Sequence, residues 1–556
     1  MSTSLVAALE RLRMRFGTDA AARKLVLLKR LARSRLASAG AVRRLHEVLC
    51  FMHAYADDAA VLAQVRTMLV TFAQRADLRA QRAALAGSGI AGTVIRFRFF
   101  AGQAQWLAQR WPRQLRLDRS DADAEARIAR ALPPLLTHTE AMALRELDLA
   151  GYGALDRLRG RDETDAVFLL RRIAAMPGDA FTREAFSDAV DASYELEPGR
   201  DTPSRTTAQL RCAPRSWRRE PLRRERPDLR AEIARAPSAL RRLSLADGQA
   251  LVDLARGAMA LRERSLEAFS FADARDAWLV DDGDGLAFGF VGVVAARRHA
   301  IAATYGSLTL RNGVPIGYGQ ADLVGASAAL SFNTFETFRG AEAGYTFARW
   351  LAALRGLLGA RSFTLEPYQI GHHNDEAIES GAWWFYAKLG FAPRHAATAR
   401  LMREERARSQ SRARYRTSPA TLRELAERPL FFEFDPAQPR PLFALGALGL
   451  QVGAALSACG GADRQHAVDA LDAEMARRCA VTSWRGWSVE QREAWRRLAP
   501  VLTLLDLRGW RADDRRALLQ LARAKGGRSE RDYLVQYHAH PRFDAALLRW
   551  QRAQGR

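Results

Sequence analysis

Between residues 278 and 335 the chain stops reading as helices and reads as strands. Residues 278–293 form two extended apolar runs about an Asp/Gly turn, residues 305–310 and 316–320 flank Asn312-Gly313, and residues 328–335 form the next run. Asn-Gly between two apolar runs signals a tight hairpin, because both of its central positions take a positive φ. Asp281, Asp282 and Asp284 are residue types that can hold a cation, but Asp and Gly build such turns without one. A sheet of this size has to bury a face, and helical layers are its usual cover.

Helical patterning supplies that cover on both sides. In residues 1–195, Leu5, Leu9, Leu12 and Phe16 recur at three- and four-residue intervals between arginines, and residues 25–49 and 59–72 repeat the style. The aromatics of residues 97–111 read as the margin of a helical core, with arginine stems over them. Residues 196–240 carry Pro198, Pro203, Pro214, Pro221, Pro227 and Pro237 among crowded arginines, and read as a linker or extended basic arm. Strands return with two helices in residues 241–400, residues 401–419 read as a charged linker, and residues 420–556 as helices around Trp484, Trp487, Trp495 and Trp510. The chain is too long for one core. The fold class expected is multidomain α and α+β: a mixed β-sheet with helices in the centre, flanked by all-α N- and C-terminal regions.

The net charge of +23 comes almost wholly from arginine; the lysines are Lys24, Lys29, Lys388 and Lys525. Such a balance favours anionic partners, nucleic acid among them. The charges are spread along the chain, as solvated helix faces would spread them. Cys50, Cys212, Cys459 and Cys479 form neither a CxxC pair nor a metal spacing with histidine, so neither a disulfide framework nor a bound metal is expected. His46 and His53, without ligand partners, read as packed or solvated. The N-terminal apolar run is broken early by charge, and a cytoplasmic location is expected. The apolar run at 442–459 is marginal in length, contains Gln451 and reads as a buried helix, not a membrane span.

Residues 335–344, Phe-Glu-Thr-Phe-Arg-Gly-Ala-Glu-Ala-Gly, lead from a strand through a small-residue turn into a helix. Such a turn offers backbone N–H groups and the positive end of a helix dipole to a phosphate. A second strand and helix end in Phe385-Tyr386-Ala387-Lys388-Leu389-Gly390-Phe391. In this order of elements, residues 301–394 resemble the GNAT superfamily of acyl-CoA-dependent N-acyltransferases, with the domain spanning about 241–400. The closest correspondence is the tyrosine, two helix residues and Leu-Gly-Phe of residues 386–391. Arg339 and Gly344 keep the ends of the family's pyrophosphate loop. Glu342 stands where its first glycine would be, and a carboxylate there repels a diphosphate unless it points away. Glu379 stands where the family has an asparagine, and Asn374 is offered by a nearby position.

The resemblance implies acetyl-CoA, or another acyl-CoA, as co-substrate and an amine-bearing acceptor, a protein among the candidates given the long helical flanks. It implies a cofactor site made by Asn333, Thr334, Arg339, Gly340, Ala341, Ala343, Gly344 and Asn374. Tyr386 would be the general acid that protonates the departing thiolate. Amine attack also needs a base. Glu336, at the end of the strand before the loop, is the first candidate, with Glu366 and His373 as rivals. The alternative is a degenerate scaffold of the same fold that binds protein or nucleic acid. His372, His373, Asp375 and Glu376 are near-consecutive and read as a loop, not a metal site.

Overall fold

The computed structural model describes residues 2–340 and 342–554. A small antiparallel sheet near the N-terminus is formed by β1 Ile95–Phe97, β2 Leu115–Leu117 and β3 Tyr194–Leu196. The main sheet has nine strands: β4 Ala239–Arg242, β5 Ala272–Gly283, β6 Leu286–Val293, β7 Ala303–Arg311, β8 Val314–Val324, β9 Ser327–Thr334, β10 Ser362–Leu365, β11 Ala392–Pro393 and β12 Leu430–Glu433. Their order across it is β11-β12-β10-β9-β8-β7-β6-β5-β4.

Strands β4 to β9 are joined by antiparallel pairing. Two of the hairpin turns follow from their residues. Asp284 and Gly285 have φ of 51° and 73°, and Asn312 and Gly313 have φ of 51° and 79°, the left-handed pairs that a two-residue hairpin needs. β9 and β10 run parallel, so the chain must cross over between them, which the helix Ala343–Leu358 does.

Each face of the sheet has its own cover. Phe347, Trp350, Leu351 and Leu354 of the crossover helix share one core with Tyr305, Ala321, Leu323 and Leu330 of the strands. That core continues without a break into Trp495, Tyr533 and Tyr537 of the C-terminal helices. On the other face, Leu251, Val252 and Ala255 of the helix Leu245–Ala260 pack with Val291 and Leu308. Burying a Leu, Val or Phe side chain of this kind contributes about 1.5–3 kcal/mol. Two further cores gather the helices of residues 6–90 and the helices and small sheet of residues 95–196.

The structure is a mixed α/β protein built on one large sheet, and it corrects several boundaries. Residues 1–195 are not all-helical, because β1 to β3 interrupt them; three residues are too few for an alternating pattern to register. The C-terminal region is not purely helical either, since β12 inserts beside β10. Residues 401–419 are not simply a linker: the helix Ala396–Ser411 runs through their first half, with buried Glu405 holding Arg408 and Tyr415. Residues 196–240 are no free arm. Leu210 donates to the Gly313 carbonyl, Arg218 to Glu342 and Arg230 to Glu433, which straps the segment across the sheet.

The helix Leu445–Gly460 is largely exposed, with Leu448 its fully buried residue, and not buried as its hydropathy suggests. Glycine and alanine read as apolar but carry little apolar area, so exposing them costs little. Among the described residues no single helix is long and apolar enough to cross a membrane; this one meets Arg464–Arg478 at a bend of 96°.

Candidate active site

Pairing between β9 and β10 stops at Leu330 and Leu365. β9 continues to Thr334 along β8, while Pro367 opens a short helix that carries the other chain away. Residues 331–334 therefore keep one edge free of a strand partner. Backbone groups alternate in direction along a strand, so Phe332 and Thr334 face the same edge. The Tyr386 hydroxyl donates to the Phe332 carbonyl at 3.3 Å, and Arg339 Nε donates to the Thr334 carbonyl at 3.2 Å. Asn333 faces the other way in this alternation, and its side-chain amide donates to the Tyr318 hydroxyl at 3.4 Å.

Tyr386 reaches this edge from the helix Ala382–Leu389. Its ring is wedged against Phe347, Phe385 and Phe391. Burial raises the pKa of its phenol, so it stays protonated at neutral pH.

The loop after β9 ends in an uncapped helix. Gly340 takes φ 79°, Ala341 lies outside the described residues, and among the described residues no side chain caps the helix that begins at Ala343. Its first N–H groups therefore lack a side-chain acceptor at the positive end of the helix dipole, with Ala343 and Gly344 part-exposed. Glu342 does not occupy them. Its carboxylate is buried and turned aside, 2.6 Å from Arg218 and 3.0 Å from Arg311, and it also accepts the Arg223 backbone N–H. Arg339 is about half exposed and pairs with Glu376, which Arg264 also holds.

A groove of about 1610 Å³ runs beside the Tyr386 helix. Arg226, Arg230, Lys388, Arg406 and Arg416 bring positive charge to it, and Trp384 and Phe385 bring aromatic surface. Pro227 and Leu389, both on its wall, lie 3.4 and 3.6 Å from where a Cβ on Gly344 would be, so the groove abuts the first turn of the uncapped helix.

Compared with protein-family models, curated proteins and solved structures, the chain finds no match.

The structure brings Asn333, Thr334, Arg339, Gly340, Ala343, Gly344 and Tyr386 together around the free edge and the helix start. Asn374 is engaged otherwise: it caps the helix Asp375–Ser380 through Ala377 N–H and donates to the Tyr368 carbonyl. Glu336 is 76% exposed and pairs with Arg43. Glu366 follows directly on β10, and its pKa is raised by desolvation and then by the charge of Asp322. His373 is exposed with φ 53°, and among the described residues no metal-binding group is formed. The sequence reading missed Arg218 and Arg311, which neutralise Glu342. The Pro/Arg-rich texture around Arg218 marked the segment as unusual without naming its target.

Proposed function

We propose that the chain is an acyl-CoA-dependent N-acyltransferase that moves an acetyl or related acyl group to an amine. The observation that carries the reading is the free edge of residues 331–334, with Tyr386 on one of its carbonyls and an uncapped helix start at its end. An amide-bearing arm can lie along that edge as an added strand would, bonding to Phe332 and Thr334. A diphosphate can sit on the amides that begin the helix Ala343–Leu358, with Arg339 adding charge, and the basic groove offers room for the remaining nucleotide.

In this reading the amine nitrogen attacks the thioester carbonyl carbon, the C–N bond forms, and the C–S bond breaks. The sulfur takes the Tyr386 proton and the nitrogen gives one to a base. Glu366 suits the second role better than Glu336, because it leaves the end of β10 beside the free edge and its raised pKa brings it nearer neutrality. The alternative of a nucleic-acid-binding scaffold is less well supported, since Arg218 and Arg230 of the basic strap are engaged in internal contacts.

Titration calorimetry with acetyl-CoA tests the reading. Saturable binding that is lost in Arg339→Ala supports it, and no binding at millimolar acetyl-CoA overturns it.

A further inference from the structure

We infer that the sheet face beside the free edge, formed by Asp322, Glu366 and Glu267, recognises an acceptor with two or more ammonium groups. The inference rests on the acyl-transfer reading and names its acceptor class.

The register builds this surface. Asp322 on β8 is paired with Thr304 on β7 and Ala329 on β9, and Ala329 with Thr364 on β10. Directly paired residues point to one face of a sheet. One row of the face is therefore Thr304, Asp322, Ala329 and Thr364. The next is Gly306, Gln320 and Ser331, with Glu366 continuing β10 beside it. Ala329 and Ser331, at the centre, have small side chains and are part-exposed. The helix Glu267–Ser270 lies over Gly306, where a Cβ would come within 2.8 Å of Phe269, and so sets Glu267 at the rim.

Three observations turn this surface into a site for a cation. The first is the absence of ion pairs. The chain has 85 Lys and Arg against 62 Asp and Glu, yet among the described residues Asp322, Glu366 and Glu267 have no arginine or lysine partner. Asp322 is held only by neutral donors, Thr304 Oγ1 at 2.6 Å and Gln320 Nε2 at 3.0 Å. The second is unmet acceptor capacity. Thr364 is wholly buried, and among the described residues neither its Oγ1 nor the Gln320 Oε1 has a hydrogen-bond partner, although both belong to this face. An unpartnered buried polar atom costs free energy, so this face carries polar capacity that its own chain leaves unmet. The third is mutual repulsion. After desolvation, the charge of Asp322 is what raises the pKa of both Glu366 and Glu267, so each of the two senses Asp322 as a like charge.

One ammonium leaves such a group of carboxylates under-neutralised; two or more match it. Ser331 begins the free edge of β9, so Glu366 would meet the reacting amine there. Asp322 and Glu267, nearer β7, would hold the second nitrogen. A free polyamine and a lysine-rich peptide share this chemistry.

The test is calorimetry on the full-length protein without acyl-CoA, at low salt, with spermidine, tetralysine and butylamine. Spermidine or tetralysine should bind saturably and about tenfold or more tightly than butylamine, and Asp322→Asn and Glu267→Gln should each lose about tenfold. The tighter of the two polycations identifies the source. Glu267→Gln is an exposed change and keeps the test valid if Asp322→Asn fails to fold. No saturable binding of either polycation, or equal binding by wild type and variants, overturns the inference. An acetyl-CoA titration on the same sample separates the two readings. Acetyl-CoA binding without polycation binding overturns this inference alone, and polycation binding without acetyl-CoA binding upholds this surface while overturning the acyl-transfer reading.

Discussion

The Glu342 carboxylate lies 2.6 Å from the Arg218 guanidinium, across 124 residues of chain, and this contact keeps a negative charge off the start of the helix Ala343–Leu358. Both side chains are largely buried, at 1% and 10% exposure. Arg218→Ala leaves Glu342 with Arg311 as its remaining cation. The expected loss of stability is about 3 kcal/mol, the low end for a broken buried pair because Arg311 stays. Acetyl-CoA binding should weaken in the same variant, since the carboxylate is then free to swing toward the helix amides. Chemical denaturation and calorimetry read the two effects separately.

Tyr386→Phe removes one oxygen and keeps the ring against Phe347 and Phe391. Stability should fall by only about 0.5–1.5 kcal/mol, the worth of the hydrogen bond to Phe332. Turnover, followed as thiol release from acetyl-CoA with a polyamine acceptor, should fall by about a hundredfold or more, as for loss of a general acid. The KM for acetyl-CoA should hardly move. A kcat within twofold of wild type would leave Tyr386 a packing residue.

The strands of residues 278–335 were legible because their signals are local: alternation, and Asn312-Gly313 with the positive φ that such a turn needs. The Tyr386 to Phe391 string was legible for the same reason. β10 falls within the strand expected after the crossover helix, whereas β12 has four residues, too few for a period to show, and lies across a presumed domain boundary from β10. The partners of Glu342 could not be read, because separations of 124 and 31 residues carry no local pattern. The acidic face was hidden in another way. Asp322, Glu366 and Glu267 lie on or beside β8, β10 and a short helix, and only the register brings them to one surface.

Glu376 bridges Arg264 and Arg339 at the mouth of the free edge. Its pKa is lowered below 4.5, first by the Arg264 hydrogen bond. A carboxylate with a depressed folded-state pKa stabilises the fold above its unfolded pKa, and the contribution fades as pH falls through the folded value. Glu376 is 48% exposed, so the bridge is worth under about 1 kcal/mol. Glu376→Gln should therefore speed hydrogen exchange in residues 334–340 modestly at pH 7. Wild type and variant should converge in acid below pH 4.5.

Lys525 and Glu530 form a buried pair, 2.6 Å apart, where the C-terminal helices dock on the sheet. Burial lowers the Lys525 pKa from 10.5 to about 8 and raises that of Glu530. Both shifts favour the neutral forms, so the charged pair offsets its own desolvation only in part. Lys525→Met alone leaves the buried Glu530 carboxylate with Arg298, 4.0 Å away, as its remaining cation and should cost about 3 kcal/mol, the low end for a broken buried pair. Lys525→Met with Glu530→Leu removes both desolvation penalties, while Arg298 keeps its bonds to the Val293, Lys525 and Gly527 carbonyls, and should lie within about 1 kcal/mol of wild type, or above it. The sign of the pH dependence follows from the lysine. The folded state binds fewer protons there between pH about 8 and 10.5, so the Lys525 contribution to stability rises across that window. Glu530 acts the other way at lower pH, its contribution falling as pH rises from 4.5 through its raised folded value. Guanidinium melts from pH 8 to 10.5 should show the rise in wild type and not in the double variant; a double variant as unstable as Lys525→Met would mean that the pair is needed for docking as a charged unit.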